Sequence, residues 1–119
     1  MIALLNEKRS EAGCPAVGSD RALAAAAQRH ANDMQQNGIR NHIGSDGSTA
    51  QQRIAEAGFA GSATGEIVYW STGGGAHEAA AAWMESPGHR TVIQDCGFTL
   101  AGAAEISAGG YVAVVDFGA

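Results

Sequence analysis

Trp83-Met84-Glu85-Ser86-Pro87-Gly88-His89-Arg90 decides how the chain is read, because an apolar helical run stops inside it and hands over to a histidine. Pro87 disfavours helical geometry at Ser86, and Gly88 enters backbone angles that a Cβ makes costly, so the helix through Trp83 is expected to end near Glu85. His89-Arg90-Thr91-Val92-Ile93 then reads as a short second helix with His89 at its start and the imidazole free to point away from the core. Glu85 and His89 thus flank one tight turn. A carboxylate and an imidazole so placed share a proton, a water or a metal ion, or else make a plain surface ion pair; these eight residues leave both readings open.

The helix entering this stretch begins near Ala76, with Ala79, Ala82 and Trp83 as its packing face. His77-Glu78 at its start is not H-E-x-x-H and reads as a solvated first turn, and glycines 73–75 before it lack the spacing and lysine of a phosphate loop. Glu66-Ile67-Val68-Tyr69-Trp70 alternates as a strand, placing Glu66, Val68 and Trp70 on one face. A carboxylate therefore starts a strand whose own face is otherwise apolar. Beyond the turn, residues 98–106 and 111–117 are β-rich and joined by Ser107-Ala108-Gly109-Gly110, a hairpin signal.

Before the strand the pattern is helical. Residues 1–12 put Ile2, Leu5 and Arg9 on one side and stop at Gly13-Cys14-Pro15. Ser19 can cap a second helix, with Asp20 in its first turn and Leu23, Ala27, His30, Ala31 and Met34 at helical spacing until Gly38. On that apolar stripe His30 reads as a core histidine bonded to backbone, outside any site. His42 lies in the loop that follows, either solvated or part of a site. Ser48 and Gln51 fit a capping box for a third helix that turns Ala50, Ile54 and Ala57 inward and ends at Gly58.

The 119 residues suit one domain, 1–119, and no run approaches the length of a membrane span. With a net charge of -5 and seven Lys and Arg scattered singly, nucleic acid and anionic membrane are poor partners; a monomer is expected. Cys14 and Cys96 match no close-spaced zinc or redox pattern. Pairing across the fold is their natural use and implies export, a leader having been removed ahead of Met1; two buried thiols in a reducing compartment are the alternative.

Taken in order, Asn6-Glu7-Lys8-Arg9, Leu23 to Met34, Asn41-His42-Ile43-Gly44-Ser45-Asp46-Gly47, Gly65-Glu66, Trp83 to Arg90 and Asp116-Phe117-Gly118 resemble the CAP superfamily. That group holds cysteine-rich secretory proteins, antigen 5 and plant pathogenesis-related-1 proteins, and the likeness is to its short bacterial branch. The resemblance covers nearly the whole chain. It implies an α+β fold, a three-layer α-β-α sandwich around a small, mainly antiparallel three-stranded sheet. It also implies a cleft with two His and two Glu, for which His42, Glu66 and His89 match by motif and Glu85 is the fourth candidate, although bacterial relatives often carry a neutral residue there. Ile67 stands where the family usually has Asn. Cys14 and Cys96 match cysteines that similar bacterial sequences pair.

Two function classes remain. Two imidazoles and two carboxylates can hold Zn²⁺ or another divalent ion with an open position, the plan of a metal-dependent protease or esterase in which Glu66 and His89 would be catalytic. No Ser or Cys nucleophile is evident beside a base. The resemblance favours the other class, a secreted or cell-envelope, non-enzymatic binding protein for a sterol, a fatty acid or a protein partner, with Ile39, Ile43, Phe59 and Trp70 as candidate lining because they adjoin the segments carrying His42 and Glu66.

Overall fold

A computed structural model describes residues 1–119. Five helices and four strands follow in the order α1 (Ile2–Glu11), β1 (Gly18–Ser19), α2 (Arg21–Asn37), α3 (Ala50–Glu56), β2 (Thr64–Ser71), α4 (Ala76–Glu85), α5 (Pro87–Ile93), β3 (Leu100–Ser107) and β4 (Tyr111–Gly118). The sheet runs β1-β3-β4-β2. It has four strands rather than the expected three and is mixed, since β1 pairs parallel with β3 while β2 and β3 flank β4 antiparallel. The added strand, β1, is two residues long and so carries no alternation in sequence; it is held by Gly18 N–H on the Thr99 carbonyl and Asp20 N–H on the Ala101 carbonyl.

Helices cover both faces. α2 lies across β3 and β4 with α3 beside it over β2, whereas α1, α4 and α5 pack together on the opposite face. Strand parity sorts the core accordingly: Ile67, Ala113, Val115 and Phe117 join Leu5, Trp83 and Ile93, while Val68, Val112 and Val114 meet Ala27, Ala31 and Met34. β4, covered above, below and on both edges, is buried along its whole length. Glu66 and Trp70 share Val68's parity, so both belong to the α2 and α3 side.

Local corrections follow the same logic. Asp20, not Ser19, caps α2, its carboxylate accepting from Leu23 N–H, because Ser19 is occupied in β1. The capping box of α3 is one residue later than expected: Thr49 accepts from Gln52 N–H and the Gln52 side chain accepts from Thr49 N–H. Ser48 is instead buried against Arg53.

At the far end of α1 the Cys14–Cys96 disulfide is present. Beside it the buried Arg9 guanidinium donates to the carbonyls of Pro15, Ile93, Asp95 and Phe98 at 2.9–3.1 Å. One cation thereby satisfies four turn carbonyls that have no strand partner. Bridge and guanidinium together fix the α5–β3 connection to the end of α1.

Candidate functional site

Glu66 is buried near the start of β2. Its carboxylate meets a guanidinium from α3: Arg53 Nη2 stands 3.0 Å from Oε1 and 3.1 Å from Oε2. Arg53 is itself 1% exposed and also donates to the carbonyls of His42 at 2.9 Å and Ser48 at 2.8 Å. It therefore ties the loop that carries His42 at two points, His42 itself and Ser48 near its end. From that loop His42 Nδ1 reaches Glu66 Oε2 at 2.8 Å, with the His42 side chain half exposed. Burial by itself would raise the Glu66 pKa, but the hydrogen bond from His42, the Asp116 carboxyl opposite and the charge and hydrogen bonds of Arg53 outweigh it and hold the group below its ordinary value.

Directly across the ladder from Glu66 stands Asp116 of β4. It is fully buried, and neither of its oxygens receives a hydrogen bond from any donor. Two carboxylates can face one another in such a place only if they share a proton. Desolvation first, and the Glu66 charge second, push Asp116 up to about 9, so Asp116 is the protonated partner and Glu66 the charged one. The result is a buried chain from Arg53⁺ through Glu66⁻ to neutral Asp116, with His42 at its solvent end.

His89 comes from the other helical layer, within the first turn of α5. Helix α5 starts at Pro87 rather than at His89, and the imidazole is not free: its Nδ1 lies 2.8 Å from Ser86 Oγ. Partial burial lowers the His89 pKa, and the nearby charge of His42 lowers it further, so the two imidazoles are neighbours that resist sharing a second positive charge. Glu85 is exposed and makes no hydrogen bond or ion pair. Three of the four expected residues thus form a string, His89 beside His42 beside Glu66, and Glu85 stays apart.

This arrangement does not fit a metal ion. No three His, Cys, Asp or Glu side chains are grouped so as to hold one. The cause is Arg53: its guanidinium occupies both Glu66 oxygens and sets a positive charge where a cation would have to sit.

The Ser86–His89 contact also modifies the sequence reading, which found no hydroxyl beside a base. The pair lacks what would make it a nucleophile, since no carboxylate orients the other imidazole nitrogen.

The four expected lining residues lie in different places. Ile39 packs against the Ala31–Val112 cluster, and Ile43 is 49% exposed on the His42 loop. Phe59 lines a cavity of about 260 Å³ beside α3, and Trp70 lines another of about 280 Å³ at the far end of β2. A third, about 380 Å³, lies between α1 and the start of α2. None is lined by His42, Glu66, Glu85 or His89.

Sequence reasoning gave Arg53 no place in the site, and named Asp116 only within the closing Asp116-Phe117-Gly118 motif. Arg53 falls at helical spacing with Ala50, Ile54 and Ala57, a charged residue on the stripe that must turn inward, and that conflict was the available signal.

A disulfide-tied, three-layer α+β domain with a polar string of His, Glu and Arg at one edge of its sheet is the class of protein that fold and site define. The chain belongs to the CAP family, the cysteine-rich secretory protein family, whose model matches residues 2–117. An outer surface protein of Borrelia burgdorferi has the same fold with a TM-score of 0.89, 23% identity and coverage of 98% of this chain and 87% of that one. An extracellular SCP-domain protein of Bacillus anthracis matches with TM-score 0.81 and 25% identity over 98% of this chain, which spans 38% of that protein. A venom allergen-like protein of Schistosoma mansoni, 10% identical, follows at TM-score 0.71 over 98% of this chain and 84% of its own. A comparison with curated proteins finds no match.

Proposed function

We propose that this chain is a secreted or cell-envelope binding module that performs no chemistry on its ligand. The observation carrying the proposal is the state of Glu66. The group best suited to act as a general base is buried, is engaged on both oxygens by Arg53 and His42, and has no cavity opening onto it. Its role is to hold the His42 loop. Export is supported by the disulfide and by the extracellular character of the Bacillus anthracis relative. Binding then falls to exposed surface, where Ile43 and Trp70 are the large apolar side chains in contact with solvent. For a sterol or fatty acid the chain offers only the three small cavities, so a protein partner or a compact ligand suits it better than a long lipid.

Hydrolysis is the second reading, and the Ser86–His89 contact is the observation that favours it. The two are separated by treating the protein with a fluorophosphonate reagent and by assaying ester and peptide substrates with and without added Zn²⁺. No labelling and no turnover are expected. Turnover abolished by Ser86→Ala would establish the serine mechanism, and metal-dependent turnover abolished by Glu66→Gln would establish the metal one.

A further inference from the structure

The exposed end of β2 carries a second feature, well away from the His42–Glu66 string. Trp70 lies four residues along the strand from Glu66, about 13 Å at the usual rise, and remains 46% exposed although the Arg40 guanidinium stacks over its ring at 5.7 Å. Both residues line the cavity of about 280 Å³ that opens between the end of α2 and the β3–β4 turn, with Gln35 and Thr72 on the wall and Gly109 and Gly110 closing it.

That cavity has one charge. Arg40 donates only to the carbonyls of Met34 and Ile39, both through Nη1, and is in ion-pair contact with no carboxylate. No Asp or Glu is among the lining residues. In a chain whose net charge is -5, a guanidinium at a pocket mouth with no carboxylate against it selects for an anion.

The rest of the lining describes the body of that anion. An exposed indole offers a flat apolar surface, against which a ring can lay its C–H face. The Gln35 amide and the Thr72 hydroxyl line the wall and offer donors and acceptors beside it. At about 280 Å³ the space is at the small end of ligand sites, whose usual range starts at roughly 300 Å³. A long acyl chain would not fit, and it would leave the amide, the hydroxyl and the guanidinium facing methylenes. A ring with hydroxyls on its edge and a carboxylate at one corner satisfies all of them.

We propose that the Trp70–Arg40 pocket binds a carboxylated monosaccharide, the ring lying on Trp70, the carboxylate on the open edge of Arg40 and the ring hydroxyls on Gln35 and Thr72. This deepens the binding reading above by giving it a ligand class and a place. Its test reads ligand affinity rather than turnover, so either proposal can fail alone.

Trp70 provides the readout, since the chain's other tryptophan, Trp83, is buried at 1% exposure. D-glucuronate is titrated against D-glucose, which replaces the carboxylate with a neutral CH₂OH, and against benzoate, which keeps the charge but has no hydroxyls. Tryptophan emission and ligand saturation-transfer NMR are followed together. Glucuronate is expected to bind at least about fivefold more tightly than either comparison ligand, the fivefold matching about 1 kcal/mol for one charge-assisted contact. Arg40→Gln should bring glucuronate down to the level of glucose, and Trp70→Ala should abolish saturation transfer, with both variants retaining the wild-type circular dichroism spectrum. Equal binding of glucuronate and glucose, benzoate binding as well as glucuronate, no detectable glucuronate binding, or an Arg40→Gln variant indistinguishable from wild type would each overturn the proposal.

Discussion

At the scale of single residues, the feature most unlike ordinary core packing is the pair Glu66 and Asp116, two carboxyl groups placed opposite each other on adjacent strands. Arg53 neutralises one, and the proton on Asp116 neutralises the other. Charged neighbours therefore face Asp116 from β2, through Glu66, and from α3, through Arg53, with His42 acting on Glu66 from the loop. A carboxyl whose folded pKa is raised binds its proton more tightly when folded, so it favours the folded state below the unfolded value near 4. That contribution is lost as pH rises through the folded value of about 9. The thermal midpoint is thus expected to fall between pH 6 and pH 9, by several degrees more than in Asp116→Asn, whose amide resembles the protonated acid. Parallel melting curves for the two proteins across that range would show that Asp116 is ionised in the fold.

At the scale of elements, the contact that sets the layers is between α2 and the sheet. Gly102 of β3 lies under the first turn of α2, where an added Cβ would stand 2.0 Å from Ala24 N and 2.3 Å from Leu23 C. Both are backbone atoms of a helix packed along its length, so no side chain can turn aside to make room. Gly102→Ala must lift α2 or bend β3, and a loss of about 3 kcal/mol or more is expected in denaturant unfolding. Gly73→Ala is the control, because nothing lies within 4 Å of its added methyl group and its backbone needs no glycine. The methyl group at residue 73 should leave stability unchanged or raise it slightly, since it only restricts the unfolded chain, and similar losses at both positions would mean that the close approach is not the cause. The turn at Pro87 belongs to this scale as well: it ends α4 and starts α5 within one residue, which brings His89 back toward His42 from the opposite layer.

At the scale of the whole molecule, Cys14–Cys96 closes a loop of 82 residues, most of the chain. In the chain-entropy account such a closure stabilises by about 4 kcal/mol, a large part of the margin of a small domain. Reduction under native conditions should therefore lower the thermal midpoint by well over 10 °C, at roughly 4 °C or more for each kcal/mol. An unchanged midpoint after complete alkylation of both thiols would leave Arg9 and the core as sufficient to hold the α1 and α5 ends together.

How far the sequence could be read depended on the range of the interactions involved. Local signals carried the helices, the β2 alternation, the β3–β4 hairpin and the stop at Pro87, because capping, period and turn chemistry act within a few residues. Ordered motifs carried the family and with it the layered fold. Local signals failed where two segments compete for one group: Ser19 left its cap for a two-residue strand, and Ser48 left its capping box for Arg53. The site shows the same division. The sequence by itself determined that His42, Glu66 and His89 are present and that Glu85 stands beside the Pro87 turn. Tertiary structure alone decided what they do, because the partner of Glu66 is a guanidinium from another helix and a carboxyl from another strand. Neither the sign of that pairing nor the burial that makes it strong is encoded within reach of residue 66.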